Sequence, residues 1–361
     1  MKLLRKILLS LVGVYLLYII GVLIFGTVKD YQPPPAETLS QSDPATVTPI
    51  RDSILRLTIW NIGYCGLGAE SDFFYDNGGF FLAGRHSVRS SRDLVNKNLN
   101  GIKQVASGIQ SDFYLFQETD KGSKRSYYIN EFEELGKQME GYHQAFGLNY
   151  LVDFVPLPLL EPWRAYGRTE SGLSTYSRYE PVEAVRRQLP GNYAWPTRIF
   201  QLDRCALIQR YPLQNGKELL LLNIHNSAYD ELGKLKTQQL DFLKKIFLEA
   251  YEAGNYVIAG GDWNECPPYF RFDGFMPDKT QGYRQLNIDP DFMPPGWKWV
   301  YDPGIPTNRK NKTAYQPGET FVTIIDFYLI SPNIRVRSVK TVDTGFRFSD
   351  HQPVWMEVEL N

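Results

Sequence analysis

The feature that most constrains the fold is a recurring unit in which a short apolar segment ends in a polar residue. Residues 54–62 alternate and are rich in branched apolar side chains, which is typical of a β-strand. Residues 113–116, 218–224 and 256–259 are short and largely apolar, which favours buried strands. The recurrence predicts a β-rich protein whose strand ends carry polar groups.

Other segments add strands and place helices between them. Apolar residues spaced by three and four predict helices over residues 93–109 and 232–251. Helices that fall between strands favour an α/β sandwich, two sheets covered by helices, over a barrel. Further strands are predicted at residues 171–176, 204–209, 323–330 and 354–358.

The N-terminal residues predict a membrane anchor. Lys2, Arg5 and Lys6 precede residues 7–25, a run of 19 residues without a charge. As a helix rising about 1.5 Å per residue, this run matches the hydrocarbon thickness of a bilayer. The basic flank favours a cytoplasmic N-terminus, which makes the rest of the chain extracytoplasmic. A cleaved signal peptide is the alternative, but its apolar region is usually shorter and ends in a small-residue cleavage site.

The composition after the apolar run suggests three parts. Residues 29–50 are rich in Pro, Ser and Thr, which is typical of a semi-extended linker. The stretch after residue 50 shows no internal repeat and no second linker. We therefore predict a membrane anchor at 1–28, a linker at 29–50 and one monomeric domain at 51–361, held at the membrane by a single span.

Charge and cysteine content exclude some classes of protein. The net charge is −1, whereas proteins that bind bulk nucleic acid usually carry a basic footprint. The charge therefore argues against a nucleic-acid substrate without removing the alternative of a local basic groove. Three cysteines, Cys65, Cys205 and Cys266, form no CxxC pair and no disulfide framework, although one bridge with one free thiol is an alternative.

Polar residues at the predicted strand ends are the candidate functional groups. Singly, each is better explained as a turn cap or a paired core residue, but burying so many together is costly without a function. Carboxylate and amide oxygens suit Mg²⁺ or Ca²⁺, whereas a Zn²⁺ site would recruit more His or Cys. Two histidines can serve as general base and acid while a divalent ion neutralises a phosphoryl oxygen. The residues are Asn61, Glu118, His225, Asp262, Asn264, Asp326, Asp350 and His351.

Seven short motifs carry these residues. They are IWNIG at 59–63, FQETD at 116–120, SGLSTYS at 171–177, NIHNSAYD at 223–230, GGDWNE at 260–265, IDFYLIS at 325–331 and SDHQPV at 349–354. In this order the motifs resemble the endonuclease/exonuclease/phosphatase superfamily, which includes DNase I and neutral sphingomyelinases. The resemblance spans essentially residues 54–360 and implies the α/β class, as a four-layer α/β/β/α sandwich. It points to a membrane-anchored, bacterial-type member near the DNase I and sphingomyelinase branch.

The resemblance implies a metal site and a base. Glu118 would be the main metal ligand, assisted by Asn61, and Asp350 would complete the site. The ion would be Mg²⁺, with Mn²⁺ and Ca²⁺ as alternatives. His351 would deprotonate the attacking water, oriented by Asp326.

The resemblance also implies contacts to the substrate. Asp262 and Asn264 would contact the scissile phosphate and the attacking water, and His225 would support the phosphate or protonate the leaving group. Arg204 is a candidate phosphate contact, with a surface charge as the alternative, and Tyr176 is a second substrate-binding candidate.

Three functions are compatible with the sequence. The favoured one is a metal-dependent hydrolase of a phosphoester, preferably a phosphodiester, in a phospholipid or sphingolipid head group. An extracytoplasmic nuclease and a non-catalytic binding module on the same fold are the alternatives. Two proline-broken apolar segments, residues 150–163 and the stretch around Trp297, are either packed loops or an apolar rim that admits a lipid.

Overall fold

The computed structural model describes residues 1–228, 230, 233–271, 274–275 and 286–361. Within these ranges the α-helices are α1 (Lys2–Val28), α2 (Arg92–Gly108), α3 (Glu131–Gln138) and α4 (Lys234–Glu252). The predicted helix over 93–109 corresponds to α2, and Ser91 caps it by accepting a hydrogen bond from the Leu94 amide. The predicted start of the next helix at residue 232 lies outside the described residues, and α4 is described from Lys234.

Two large β-sheets form the centre of the molecule. The strands are β1 Ala36–Gln41, β2 Ile54–Asn61, β3 Phe113–Asp120, β4 His143–Val155, β5 Gly167–Ser177, β6 Glu183–Gln188, β7 Cys205–Pro212, β8 Glu218–His225, β9 Tyr256–Asp262, β10 Lys298–Val300, β11 Asn308–Arg309, β12 Val322–Thr323, β13 Asp326–Ile330, β14 Ile334–Thr341 and β15 Val354–Leu360. The first sheet has seven strands in the order β1-β6-β7-β8-β9-β13-β10, and the second has six in the order β14-β15-β2-β3-β5-β4. Strands β11 and β12 pair separately.

Each sheet contains one parallel pair joined through a helix. Strands β2 and β3 are parallel with α2 between them in sequence, and β8 and β9 are parallel with α4 between them. A parallel pair needs such a crossover, because a hairpin turn can join only antiparallel strands. Both crossovers bring the carboxyl ends of two consecutive strands to the same edge of their sheet.

The two sheets pack face to face, and helices cover their outer faces. Ile59 and Leu115 of one sheet share a buried apolar cluster with Leu221 and Ile258 of the other. Ile102 of α2 packs with Trp60 and Phe116 on the outer face of the six-stranded sheet. Leu243 and Phe247 of α4 pack with Leu222 and Ala259 on the outer face of the seven-stranded sheet. This layer order confirms the predicted α/β/β/α sandwich.

The segment predicted as a linker is partly built into the domain. Strand β1 lies within residues 29–50 and pairs antiparallel with β6 at the edge of the seven-stranded sheet. Ile50 is 3% exposed and forms a bridge with Leu213. The prediction of a free spacer is therefore wrong for this part, because its backbone groups join the sheet ladder.

Two open alternatives are decided by the packing. Trp297 lies against α4, with its ring centroid 5.6 Å from that of Tyr251, so the described residues around it form a packed loop on the outer helical layer rather than an apolar rim. Cys65, Cys205 and Cys266 are separate buried thiols, so the alternative of one disulfide bridge is wrong.

Candidate active site

The sheet registers place three of the predicted polar residues side by side. His225 ends β8 and is paired with Asp262, which ends the parallel strand β9. Asp262 is also paired with Asp326 at the start of the antiparallel strand β13. These three residues therefore occupy neighbouring positions at one edge of the seven-stranded sheet.

The carboxylate of Asp262 is the point at which the site converges. Its Oδ2 lies 3.0 Å from Asn61 Nδ2 at the end of β2, in the other sheet. The same oxygen lies 3.4 Å from His225 Nε2 and 3.8 Å from His351 Nε2. Burial raises the pKa of Asp262 to about 6, because a low-dielectric site disfavours the charged carboxylate. One oxygen atom is thus surrounded by groups from both sheets.

A glycine makes the close approach of β8 and β9 feasible beneath this carboxylate. Gly261 has a φ of 143°, in a region that favours glycine. A Cβ at this position would lie 2.1 Å from the carbonyl oxygen of Ile224. The glycine of the GGDWNE motif therefore allows Asp262 to be placed beside His225.

His351 is held by a buried carboxylate. Its Nδ1 lies 2.8 Å from Oδ2 and 3.0 Å from Oδ1 of Asp326. Burial acts to lower the pKa of His351, but the carboxylates of Asp326 and Asp262 outweigh it and raise the pKa to about 10. The Asn308 side-chain amide lies 2.9 Å from Nε2, the other ring nitrogen. His351 is therefore oriented at both of its nitrogens.

His225 is placed differently although it lies in the same cleft. Its Nδ1 is buried and has no hydrogen-bond partner. Burial, followed by the charges of Arg204 and His351, lowers the pKa of His225 well below its usual 6.5. The ring is thus held neutral, and in that state one of its nitrogens carries a hydrogen to donate.

Glu118 is directed into the cleft by an irregularity in β3. The register between β3 and β5 shifts between Phe116 and Thr119, and Glu118 has a φ of 54°. A positive φ in a non-glycine residue at a bulge re-aims the side chain away from the regular alternation of the strand. As a result, Glu118 Oε1 lies 3.1 Å from Asn61 Nδ2 and 4.0 Å from His225 Nε2.

Asn61 and Asp350 border the acidic groups. Asn61 presents its Nδ2 to the carboxylates and accepts a hydrogen bond from the Gly63 amide at Oδ1. To ligate an ion through oxygen, its side-chain amide would have to rotate. Asp350 is 6% exposed and accepts a hydrogen bond of 2.6 Å from the Asn311 side chain. Burial raises the pKa of Asp350 above its ordinary value.

Asn264 lies beside the Asp262 carboxylate. Its backbone amide donates to Asp262 Oδ1 at 2.9 Å, and its φ of 53° turns the chain away from β9. Its Nδ2 donates to the carbonyl of Asn226. This turn places Asn264 in the wall of the cavity beside Asp262 and His225.

Most of the predicted residues line a cavity of about 880 Å³, a volume in the range of small-molecule sites. Glu118, His225, Asp262, Asp350 and His351 form a polar part of its wall, whereas Asn61 and Asp326 lie behind it. Another part of the wall is apolar and includes residues from the segment 150–163. That part is formed by Phe73, Phe74, Tyr150, Val155, Leu157, Phe200 and Leu202.

Arg204 faces this cavity just before β7 begins. Its Nη1 is buried without a hydrogen-bond partner. Burial lowers its pKa, and the charges of Glu118 and Asp262 oppose that effect. An unpartnered guanidinium nitrogen is costly to bury unless a ligand completes its hydrogen bonds. The alternative of a surface charge is therefore wrong for Arg204.

Tyr176 does not reach the cavity. Its ring is fully buried between Phe116 and Phe132, and its hydroxyl donates to the Phe132 carbonyl at 2.7 Å. The outward positions of β5 at this point face the helical layer. The prediction that Tyr176 binds substrate is therefore wrong, because the side chain is part of the core.

Sequence reasoning missed several polar residues that support the site. Asn308 and Asn311 come from β11 and its following loop, where no strand end or motif marks them. Gln117 donates to Asn223 at 2.7 Å and so joins the two sheets directly beneath the site. For Gln117 and Asn223, the apolar context within β3 and β8 was an available signal, since a buried amide requires a partner.

The acidic groups fit a divalent cation. Asp262, Asp326 and Asp350 are all buried, and burial raises the pKa of each. Asp262, Asp326 and His351 have ligand atoms within 4.8 Å of one another. The hydrogen bond between His351 and Asp326 already joins two members of that group, so an ion is better placed on the side of Glu118. Oxygen-rich sites of this kind suit Mg²⁺, Mn²⁺ or Ca²⁺.

Solved structures with similar folds were found. An endonuclease/exonuclease/phosphatase from Beutenbergia cavernae DSM 12333 is 19% identical with a TM-score of 0.56, over 85% of this chain and 72% of that one. D. rerio TDP2, solved with a single-strand DNA product, is 15% identical with a TM-score of 0.52, over 85% and 100%. ANGEL2, a 2′,3′-cyclic phosphatase solved with adenosine-2′,3′-vanadate, is 14% identical with a TM-score of 0.51, over 85% and 96%. These identities show a shared fold alone.

The sequence itself matches a family model. The match covers residues 60–351, an interval that contains every strand-end residue from Asn61 to His351. No curated protein matches the chain. Since the family model covers most of the sequence and the sandwich agrees with it, this chain belongs to the Endonuclease/Exonuclease/phosphatase family.

Proposed function

We propose that this protein hydrolyses a phosphoester, preferably a phosphodiester, by in-line attack of water with His351 as the base. Members of the family are metal-dependent phosphoester hydrolases. The observation that carries the proposal is the buried Asp326–His351 pair, whose other ring nitrogen, Nε2, lies 3.8 Å from Asp262 Oδ2. A base oriented by a carboxylate beside a second carboxylate is an arrangement for moving a proton from water.

In this proposal His351 receives the proton at Nε2. Asp326 accepts the Nδ1 hydrogen and stabilises the imidazolium that forms. Asn308, 2.9 Å from Nε2, fixes the ring in the cavity. Without a bound ion, the neighbouring carboxylates raise the pKa of His351 to about 10. A positive charge near Asp262 would lower that pKa again.

The divalent ion would be held by Glu118, with Asp350 and a rotated Asn61 completing the site. When bound, the ion would supply positive charge that neutralises the negative charge on a phosphoryl oxygen while water attacks. Mg²⁺ is the ion we favour, with Mn²⁺ and Ca²⁺ as alternatives, because every proposed ligand atom is an oxygen.

The phosphate itself would be bound by the remaining residues of the cleft. Arg204 offers its unpartnered Nη1, and the neutral His225 offers a ring hydrogen. Asp262 and Asn264 would hold the attacking water and a phosphoryl oxygen. The low pKa of His225 supports a role as hydrogen-bond donor rather than as proton donor to the leaving group.

A lipid head group is the substrate class we favour. Within the described residues one helix, Lys2–Val28, is long and apolar enough to cross a membrane. We propose that the chain is a single-pass membrane protein and that the cavity lies outside the cytoplasm. The apolar wall around Leu157 and Phe200 suits the lipid side of a head-group ester.

The test is a substrate panel with the full chain in phosphatidylcholine vesicles. The panel contains bis-p-nitrophenyl phosphate, p-nitrophenyl phosphate, sphingomyelin, phosphoinositides and plasmid DNA, each with Mg²⁺ and with EDTA. We expect diester turnover that EDTA abolishes and excess Mg²⁺ restores. The His351→Ala variant is the matched control for contaminating activity.

Each other outcome replaces part of the proposal. Turnover that persists in EDTA or in the His351→Ala variant would contradict the proposed mechanism. Degradation of plasmid with no lipid cleavage would establish the nuclease alternative. No turnover of any member, with ion binding intact, would favour a non-catalytic binding module.

A further inference from the structure

Helix α1 has two halves with different surroundings. Residues 1–12 are exposed, whereas Tyr15, Tyr18, Ile19, Val22 and Gly26 are partly or fully buried. Residues spaced by three and four lie on one face of a helix. The second half of α1 therefore lies along the folded domain, and the first half extends beyond it.

Three contacts fix α1 on the domain. The hydroxyl of Tyr15 donates to the carbonyl of Leu159 at 3.0 Å. Near the other end, Gly26 packs so closely on Phe200 that a Cβ would lie 3.1 Å from its ring. The indole of Trp195 donates to the Thr27 hydroxyl at 3.1 Å. Along the helix axis, Leu159 therefore lies at the same level as Tyr15, and Trp195 lies at the same level as Thr27.

The length of the apolar run then determines how the domain meets a bilayer. Residues 7–25 extend about 28 Å as a helix, close to the hydrocarbon thickness of about 30 Å. The part beyond the Tyr15 contact, residues 7–14, accounts for about 12 Å of that length. The other part, about 16 Å, runs beside the domain. A membrane crossed by the whole run must therefore also contact the domain at the level of Leu159.

The domain surface at that level is apolar and exposed. Phe80, Phe81, Leu82, Leu160 and Trp163 are 44, 58, 56, 46 and 76% exposed. We call these five residues the apolar tip. Two hydrogen bonds join its loops, from the amide of residue 159 to the carbonyl of Phe80 and from the amide of Leu160 to that of Phe81. An exposed cluster of this kind marks an interaction surface.

Two charged residues beside the apolar tip, Glu161 and Arg164, are paired, which lowers the cost of placing them near lipid. Glu161 accepts a hydrogen bond from the Ala83 amide and forms an ion pair with Arg164. Arg164 in turn donates to the carbonyls of Gly84 and His86. At the level of Thr27, just past the uncharged run, Trp195 is 56% exposed, and Trp is enriched where hydrocarbon meets water.

We infer that the apolar tip inserts into the near leaflet of the bilayer that α1 crosses, with Trp195 at the membrane–water interface. The cavity is coupled to this surface through its apolar wall. Phe200 lines the cavity and packs on α1, and Leu157 lines it two residues before Leu159. The docked domain therefore presents its cleft to head groups at the membrane surface.

The test measures the depth of single fluorophores and needs no enzymatic turnover. Phe81→Cys, Trp195→Cys and Gln110→Cys variants of the full chain are labelled with a thiol-reactive, polarity-sensitive dye. The native cysteines are buried, so wild type treated with the same dye should take up little label and controls for the specificity of labelling. Gln110 is an exposed loop residue before β3, at the end of the sheet opposite the site. The vesicles contain phosphatidylcholine with nitroxides at the head group or mid-chain.

We expect the label at Phe81 to shift to the blue and to be quenched several-fold more by the mid-chain than by the head-group nitroxide. The label at Trp195 should show the reverse preference. The label at Gln110 should respond to aqueous iodide and to neither nitroxide. A label at Phe81 that iodide quenches as strongly as the one at Gln110 would overturn the inference.

A second outcome would also overturn it. If the label at Phe81 is protected from iodide but not quenched by either nitroxide, protein rather than lipid covers the apolar tip. Thermal melting of each labelled variant shows whether the substitution preserves the fold. Since the readout is the depth of a dye, it remains valid even if the proposed hydrolysis fails.

Discussion

The two histidines of the cleft differ in charge because they differ in partners. His351 faces Asp326 through Nδ1 and Asp262 through Nε2, and these carboxylates raise its pKa. His225 also faces Asp262, at 3.4 Å, but its Nδ1 has no partner and Arg204 adds a positive charge. Its pKa is lowered instead. The same side chain at the same cleft is thus prepared for two tasks.

A position at a strand end therefore does not by itself set the pKa of a histidine. Both residues are nearly fully buried, so desolvation acts on both in the same direction. What separates them is the group at Nδ1, an oriented carboxylate for His351 and none for His225. In the proposed mechanism the carboxylate makes His351 the base, and the lack of one leaves His225 as a neutral hydrogen-bond donor.

The largest effect is expected from removing the proposed base. His351→Ala should lower kcat/KM by about 10⁴-fold, the upper end of what a positioned base contributes. The assay is hydrolysis of the best panel substrate with Mg²⁺. His143→Ala, at an exposed position on β4, is the matched control and should retain activity. A loss no greater than that of His225→Gln would remove the distinction between the two histidines.

Neutralising the orienting carboxylate should make His351 resemble His225. Asp326→Asn keeps the size of the side chain and removes its charge, and we expect roughly a 10³-fold loss of kcat/KM. Because Asp326 raises the pKa of His351, the ascending limb of the pH–rate profile should move to lower pH. A profile with an unmoved limb would show that Asp326 serves only the fold.

Replacing His225 should lower kcat/KM less than replacing His351, because His225 is proposed to bind the phosphate as a hydrogen-bond donor. His225→Gln retains a hydrogen-bond donor of similar reach, and we expect about a 10²-fold loss, as for removal or misplacement of one donor to a developing charge. The ascending limb should stay at its wild-type pH, in contrast to Asp326→Asn. Movement of that limb in the Gln variant would assign His225, rather than His351, as the titrating base.

The smallest effect is on stability and concerns the chelator-treated protein. The folded pKa of His225 lies below its ordinary value of 6.5, so its contribution to stability is present above pH 6.5 and lost as the pH falls below it. The free energy of unfolding of the wild type should therefore fall relative to that of His225→Gln as the pH drops from 7 toward 5. Urea unfolding at each pH measures it. A constant difference would mean that His225 titrates normally.

Much of the fold was predictable because its signals are local. Apolar alternation in β2 and the three-to-four spacing in α2 reflect which faces of each element are buried, and that information is in neighbouring residues. The structure of β1 was not predictable in this way. Its sequence, AETLSQ, has no apolar alternation, and it becomes a strand because the edge of β6 offers it hydrogen-bond partners.

The candidate site divides in the same manner. Glu118 and His351 were identified because Glu118 follows an apolar run and His351 stands just before one, at strand ends where a buried charged group is costly without a function. Tyr176 was misjudged because the sequence pattern of an aromatic residue among polar ones is the same whether its side chain faces the cleft or the helical layer. Asn308 was missed because a loop asparagine carries no signal until the fold brings it to 2.9 Å from His351.

The amino-acid sequence was enough to identify the family, the order of the strands along the chain, most cleft residues and an apolar run long enough to cross a bilayer. Which histidine has the raised pKa depends on the folded chain. Asp326 and His351 are 25 residues apart in sequence and meet only when the seven-stranded sheet, which contains β13, packs on the six-stranded sheet, whose strand β15 follows His351. The position of α1 on the domain likewise depends on the folded chain. The physical reason is common to both: local patterns report burial, whereas pKa values and docking surfaces depend on distances between residues that are remote in sequence.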